Sequence, residues 1–330
     1  MKMKNFLLLT LTFSILASCT KSEPIEISPE ELHTSINEVT EIMIHDIFSP
    51  PVASRIFAYP NIAAYEIMAL QDNEYQSLAG QLRDFTTIPK PTSTDALNYE
   101  LAAMVAHMEL SKKLIFSEDR MEKLQDSLYG VWQQKNSEEF EKSKSYGLQV
   151  FDHVVAWMNS DNYNQTRTMP QFSVNTEDVS RWQPTPPAYM QGIEPHWNKI
   201  RPFVIDSASQ FKPVPPPPFS MEKGSDFYKE LMEVYTISNE ITSKGDSSEE
   251  VQIAQFWDCN PYVSVTRGHL MFATKKITPG AHWMGITKIA SRKTNSNFSK
   301  TLYAYTKASI AMADAFISCW DEKYRSNLIR

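Results

Sequence analysis

Two basic residues near the end of the sequence are spaced so that both could bind one anion. Lys323 and Arg330 are seven residues apart, about two turns of an α-helix, so a continuous helix would place both side chains on one face. Arginine offers a planar fork of donors and lysine a point charge, and this pair suits a tetrahedral oxyanion. The same residues would also suit a solvent-exposed helix end, where cations favour the helix dipole. Spacing alone leaves both interpretations open.

The residues before Lys323 predict the element that would position it. Apolar side chains recur at helical spacing from about Ser299 to Tyr324, and they cover nearly the whole circumference. A helix that is apolar all round lies in the middle of a protein, so we expect this one to be buried. The broad face consists of Ala304, Ala308, Ala311, Met312, Ala315, Phe316 and Cys319, and Ile310, Ala313 and Ile317 complete the circumference.

Helical periodicity also dominates the rest of the chain, and no run of alternating strands occurs, so the predicted fold class is all-α. Pro50-Pro51 should end the first helix, and Pro60 should interrupt or start the second. The predicted helices are Leu32 to Phe48, Ser54 to Leu70, three between Asp95 and Asn159, one from Asp226, Val251 to Trp257, and Ala281 to Ser291.

The segment 169–220, called here the proline-rich segment, breaks the helical pattern. Eleven of the twenty prolines fall between Pro170 and Pro218, and no helix survives that density. A flexible linker would not carry so many aromatic residues, so we expect an ordered loop wrapped on the helical body. A disordered tether is the alternative. The aromatic residues are Trp182, Tyr189, Trp197, Phe203, Phe211 and Phe219.

The first residues are typical of a targeting signal. Lys2 and Lys4 precede an apolar run that is too short to span a bilayer as a mature helix, and the run ends in Leu-Ala-Ser before Cys19. This pattern resembles a bacterial lipobox, in which the cysteine sulfur receives a diacylglycerol; a plain signal peptide with a chance cysteine is the alternative. We therefore expect a signal peptide over 1–18, a tether over 19–30, and a lipid-anchored protein of the bacterial cell envelope.

Charge and cysteine content exclude several classes of protein. The net charge of −7 argues against a broad basic surface for nucleic acid. No Gly-x-Gly-x-x-Gly or Walker loop, Gly-x-Ser-x-Gly elbow, His-Glu-x-x-His helix or EF-hand loop occurs, and the seven histidines lack tight metal-ligand spacing. Cys259 and Cys319 form no Cys-x-x-Cys pair, and we expect them to be buried free thiols.

Trp320-x-x-Lys323-x6-Arg330 resembles the first of three oxyanion motifs of the vanadium-dependent haloperoxidases. That family shares a helical fold with bacterial acid phosphatases and type 2 phosphatidic acid phosphatases. The resemblance extends from about residue 35 to the end of the sequence and rests on an ordered series of short motifs. These are Arg181-Trp182-x-Pro184, Pro195-His196-Trp197, Ile200-Arg201-Pro202-Phe203, Phe211-x-Pro213, Ile253-Ala254-x-Phe256-Trp257, Gly280-Ala281-His282-Trp283 and Ala313-Asp314-Ala315.

The resemblance implies that Lys323 and Arg330 bind vanadate, and that peroxide held there oxidises a halide. Trp320 would line the halide side or simply pack in the core. His282 would contact the anion site indirectly or merely begin a helix. Two alternatives stay open: an acid phosphatase acting on phosphate esters, and a non-enzymatic all-α envelope lipoprotein that binds a partner or anion. The family also hints at homodimers.

Two further family motifs are missing from this sequence. The resemblance leads us to look for Ser-Gly-His and for Ser-Arg-x-x-x-Gly-x-His, whose histidine would hold vanadate, and neither occurs. The sequence stops on Arg330, where the family continues with a proline and its remaining catalytic segments. We therefore expect residues 31–330 to be the N-terminal helical part of a longer, haloperoxidase-like domain; a protein that has lost its chemistry is the alternative. We expect this chain to be catalytically incomplete and to bind no vanadate by itself.

Overall fold

A computed structural model describes residues 23–186, 189–245, 247–261 and 276–329. Within these ranges the regular structure is helical, and an antiparallel bridge between Arg181 and Leu328 is the sole β-pairing, so the all-α prediction is confirmed. None of the helices in these ranges combines the length and apolarity that a bilayer-spanning helix needs. The helices are α1 Pro29–Asp46, α2 Pro50–Gln71, α3 Tyr99–Leu114, α4 Glu118–Lys135, α5 Ser137–Met158, α6 Tyr163–Thr166, α7 Asp226–Lys244, α8 Glu249–Trp257, α9 Pro279–Lys293 and α10 Phe298–Ser326, with a 3₁₀ turn at Trp197–Lys199.

Helix α2 lies at the centre of the body. Every residue from Pro51 to Met68 is buried, and the helix packs against α3, α5, α9 and α10. Pro50 and Pro51 occupy its first turn, where a missing N–H costs nothing, and the helix continues through Pro60. The prediction of an interruption or a start at Pro60 was therefore wrong.

Helix α10 is buried on one face only, contrary to the prediction that it is covered all round. Leu302, Tyr305 and Ile317 face the core, whereas Ala311, Ala315 and Cys319 are exposed. The core-facing side also includes hydroxyl residues that bond to backbone carbonyls of the helix itself: Thr306 donates to the Leu302 oxygen at 2.8 Å and Ser309 to the Thr306 oxygen at 3.0 Å. Small hydroxyl residues thus lie on the core side. The exposed side includes Ala311 and Ala315, called here the alanine stripe.

The proline-rich segment lies on the helical body. Trp197 and Phe203 are buried in the core, and the carboxylate of Asp314 on α10 accepts backbone N–H bonds from residues 203–205. Because the segment is anchored by buried rings and by hydrogen bonds to α10, it belongs to the folded body. By contrast, α7 and α8 have no buried residue.

The packed part of the chain begins before α1. Ile25 and Ile27 are buried, and the Ile25 N–H donates to the Glu139 carboxylate at 3.0 Å. The chain therefore joins the body earlier than residue 30, where the predicted tether ends. Both thiols outside the signal region are free as expected, but Cys259 is only half-buried and Cys319 is exposed, so the expectation of burial was wrong.

Candidate functional site

The last turns of α10 place Trp320, Lys323 and Tyr324 against the proline-rich segment. Trp320 is buried and its indole N–H donates to the carbonyl oxygen of Ile193 at 2.9 Å. The Tyr324 hydroxyl donates to the same oxygen at 2.7 Å. The Lys323 ammonium lies 3.8 Å from the centroid of the Trp320 ring, within cation–π distance. One backbone carbonyl thus fixes the two aromatic side chains on either side of the lysine.

Helix α10 ends at Ser326, before Arg330 could join Lys323 on a common helical face. Asn327 adopts the left-handed conformation, with φ of 46°, and closes the helix through a bond from its N–H to the Lys323 oxygen at 3.3 Å. Asparagine tolerates this conformation better than most residues, which explains the stop. The condition for a shared helical face, a helix that continues from Lys323 to residue 330, is therefore not met. Arg330 itself lies outside the described residues.

The chain beyond α10 is held by residues 180–182 of the proline-rich segment. The Trp182 N–H donates to the Asn327 oxygen at 3.1 Å, and the Ile329 N–H donates to the Ser180 oxygen at 2.9 Å. The Arg181 guanidinium donates to the Ser326 carbonyl at 2.9 Å and, through Nε, to Asp178 at 3.1 Å. A cation at a helix C-terminus satisfies a carbonyl and favours the dipole. The helix end is therefore positioned by a distant part of the sequence.

Lys323 lines three neighbouring cavities. A large one of about 950 Å³ runs along the exposed alanine stripe of α10, between Leu82 and Phe211. The second, of about 210 Å³, is called here the aromatic cavity, and it lies between Phe172, Trp182, Trp320 and Tyr324. The third, of about 470 Å³, is lined by Trp257, Cys259, Phe316 and Trp320, among others. A lysine at this junction can place its charge beside a ligand in any of them.

The acidic residues next to Lys323 are engaged by another cation. Burial alone would raise the pKa of Asp321, but hydrogen bonds from Asn198 at 3.0 Å and from Arg325 at 2.9 Å outweigh it, so the pKa is lowered. Glu322 also pairs with Arg325. Because Arg325 pairs with both carboxylates and offsets one of their two charges, their repulsion of an anion near Lys323 is reduced.

His282 lies in the first turn of α9, at the third cavity rather than beside Lys323. Its Nδ1 is 3.2 Å from the Cys259 sulfur, and its ring stacks on Trp257 with centroids 5.2 Å apart. Burial, the largest influence, raises the pKa of the Cys259 thiol. His282 contacts two residues that line the cavity, which is an indirect relation to Lys323. No cluster of three metal-ligating side chains occurs in the described ranges.

Sequence patterns identified Trp320 and Lys323 but not the residues that position them. Ile193 contributes a backbone oxygen, which no side-chain motif can reveal. Arg181 stood in one of the family-like motifs, yet its contact with the end of α10 spans 145 residues of sequence. Cys19, the predicted lipidation site, lies outside the described residues.

Neither a protein-family model nor a curated protein matches the chain. Among solved structures, the crystal structure of a protein described as the first bacterial vanadium-dependent iodoperoxidase is similar to it, with a TM-score of 0.89 and 72% sequence identity. The match covers 94% of this chain and 72% of that chain. The match therefore leaves about 6% of this chain uncovered.

Proposed function

The chain belongs to the vanadium-dependent haloperoxidase superfamily, and from this premise we propose that it forms the lysine side of a vanadate-dependent peroxidase site that oxidises iodide. The observation that carries the proposal is the 72% identity to an iodoperoxidase over 94% of the chain. Iodide is proposed, rather than another halide, because the similar protein is an iodoperoxidase.

Lys323 is the described residue best suited to hold an oxyanion. Its ammonium lies over the Trp320 ring, at the junction of three cavities, where a bound anion would lose part of its hydration. Charge-assisted hydrogen bonds are strong in such a setting. Arg330 is proposed as the second cation, on the motif alone. When bound, vanadate supplies the Lewis-acidic centre that allows hydrogen peroxide to oxidise a halide.

The residues of this chain would act by binding and by excluding water. Lys323 neutralises an oxygen of the anion and donates a hydrogen bond to it. Trp320, which is only 8% exposed, keeps solvent from one side of the ammonium and so strengthens that interaction. Arg325 pairs with Asp321 and Glu322 and so reduces the negative charge that competes with the anion. Lys323 is therefore the group that attracts the anion, and Trp320 and Arg325 support it.

The proposal concerns a site completed by residues that these 330 do not contain. Ser-Gly-His and Ser-Arg-x-x-x-Gly-x-His are absent, so the chain alone offers no histidine for vanadate in those motifs. The similar iodoperoxidase has a further 28% of its own chain outside the match, since 72% is covered. We predict no turnover by the isolated chain.

Complementation tests this function. The chain is combined with a polypeptide comprising the unmatched part of the iodoperoxidase, and triiodide formation from iodide and hydrogen peroxide is measured with and without vanadate. We expect vanadate-dependent triiodide only in the mixture. Lys323→Met should lower the rate about a hundredfold to a thousandfold, the cost of losing one oxyanion donor. Lys307→Met is the matched control, because Lys307 is an exposed lysine on the same helix whose ammonium also lies over a ring, that of Tyr303.

Three results would overturn the proposal. The first is no vanadate-dependent oxidation by the mixture, and the second is oxidation that persists unchanged in Lys323→Met. The third is hydrolysis of a phosphate ester, inhibited by vanadate, in place of iodide oxidation, which would support an acid phosphatase on the same scaffold.

We further propose that Cys19 anchors the protein to a membrane of the bacterial cell envelope. The support is the lipobox-like sequence before Cys19. Cys19→Ser should move the protein from the membrane fraction to the soluble fraction of a bacterial host. A protein whose fractionation is the same with either residue would contradict the anchor.

A further inference from the structure

The walls of the aromatic cavity include aromatic rings that are only partly buried. Phe172 and Tyr324 meet edge to face, with centroids 5.0 Å apart and an interplanar angle of 70°, and Phe172 also approaches Trp182 at 6.3 Å. Phe172 and Trp182 are only half-buried, although both belong to the ordered proline-rich segment. Partly exposed aromatic faces that converge on one cavity are typical of a ligand site.

Backbone contacts hold the cavity in its shape. A Cβ atom added at Gly192 would lie 2.8 Å from the Tyr324 hydroxyl, so only glycine lets the backbone approach the ring this closely. The Ile193 backbone oxygen accepts hydrogen bonds from Tyr324 and Trp320, and the backbone N–H of Trp182 donates to the backbone oxygen of Asn327. A ligand entering this cavity would meet walls that are already positioned, which lowers the entropic cost of binding.

Size and polarity limit what the cavity can hold. An apolar cavity of about 150 Å³ binds benzene, so a volume of about 210 Å³ admits one ring with a small substituent. Its lining also includes Gln191 and Asn327, whose side-chain amides are of the kind that hydrogen-bonds a hydroxyl group on such a ring. Aromatic faces and polar donors together specify a phenol rather than a hydrocarbon.

We propose that the aromatic cavity binds one phenol-class molecule and presents its ring to the region of Lys323 and Trp320. The binding itself is independent of the function proposed above, whereas its role rests on that function: the phenol would accept the oxidised halogen. In that reaction a ring carbon attacks the iodine of hypoiodous acid, the C–I bond forms as the I–O bond breaks, and the departing hydroxide leaves with the ring proton as water.

Titration of the 330-residue chain with phenol tests the site. Binding is followed by NMR of the tryptophan indole N–H signals, with the Trp182 signal assigned through Trp182→Phe. We expect saturable binding that perturbs the Trp182 signal, and about tenfold weaker binding of cyclohexanol, which has the hydroxyl but no aromatic face. Phe172→Ala should weaken phenol binding about tenfold. Phe211→Ala, which removes an exposed ring from the large cavity, is the matched control and should leave binding unchanged.

A second variant covers the case in which Phe172→Ala fails to fold. Gly192→Ala adds a Cβ atom that must displace the Tyr324 ring of the cavity wall, and it should also weaken phenol binding. The inference is overturned if phenol binds Phe172→Ala or Gly192→Ala as it binds the unaltered chain, if Phe211→Ala abolishes binding, or if cyclohexanol binds equally well. Phenol binding without iodide oxidation in the complementation assay would overturn the peroxidase proposal and leave this site standing. Iodide oxidation in the complementation assay without phenol binding would overturn the phenol site alone.

Discussion

Asp314 joins α10 to the proline-rich segment through one buried carboxylate. Its two oxygens accept the backbone N–H groups of Phe203, Val204 and Ile205 at 2.7, 2.8 and 3.1 Å. We predict that Asp314→Ala destabilises the protein strongly, because three N–H groups, one buried and two partly buried, would lose their acceptor at once. The same change should release the wall of the large cavity that Val204 and Ile205 help to form.

The size of the effect follows from the three bonds. A hydrogen bond to a charged group contributes about 1.5–3 kcal/mol, but three bonds to one carboxylate do not add fully. Asp314 is 5% exposed, so little water can replace the lost acceptor. We expect Asp314→Ala to lower the free energy of unfolding by about 3–5 kcal/mol, and Asp314→Asn by about half as much because one acceptor oxygen remains.

Urea denaturation and amide hydrogen exchange measure this prediction. The control is Asp206→Ala, in the same segment, because the Asp206 side chain is 83% exposed and its ion pair with Arg83 should contribute less than about 1 kcal/mol. Amides of residues 203–205 should exchange faster in Asp314→Ala and not in the control. A loss of stability below about 1 kcal/mol, with these amides still protected, would refute the prediction.

Three further outcomes are expected. Burial lowers the pKa of His107 to about 3, while the unfolded chain takes up this proton near pH 6.5. Between pH 6.5 and about 3 the protein should therefore lose about 1.4 kcal/mol of stability per pH unit relative to His107→Gln, and parallel stability curves would contradict this. Arg181→Ala removes a donor to Ser326 and should speed amide exchange in the last turn of α10 at a cost of about 1 kcal/mol; unchanged exchange would disprove the capping role. Maleimide should label the exposed Cys319 before Cys259, because burial raises the pKa of the Cys259 thiol. Mass spectrometry measures the order of labelling, and earlier labelling of Cys259 would contradict the prediction.

Local periodicity predicted most of the helices because it arises within each helix. The three helices expected between Asp95 and Asn159 are found as α3, α4 and α5; α4 and α5 bury one side, whereas α3 is buried all round from Leu101 to Met108. The first helix ends before Pro50-Pro51 as predicted, but the second begins at Pro50 and not at Ser54. Two prolines can end one helix or begin the next, and the local pattern alone does not show that they also begin one. Here α2 begins on them because nearly its entire length is buried.

The orientation of α10 could not be obtained from composition. Alanine contributes little whether buried or exposed, so a helix with alanines around its circumference offers several faces of similar apolarity. The buried face was decided by Tyr305, Ile317 and the hydrogen-bonded Asp314, which have specific partners in the core. Such partners lie far away in sequence, and spacing within the helix carries no information about them.

The candidate site likewise combines residues that a local sequence pattern predicts with residues that it cannot predict. Trp320 and Lys323 are one turn apart, so a local motif reports them, whereas the groups that orient them come from residues 180–193. The Ile193 oxygen fixes Trp320, and the bridge at Arg181 fixes the exit of α10. It follows that the position of the Lys323 ammonium depends on the proline-rich segment as much as on its own helix. A substitution in the proline-rich segment should therefore alter anion binding at Lys323, even where the substituted residue does not touch the anion. A substitution in a loop that merely covers the surface would have no such effect.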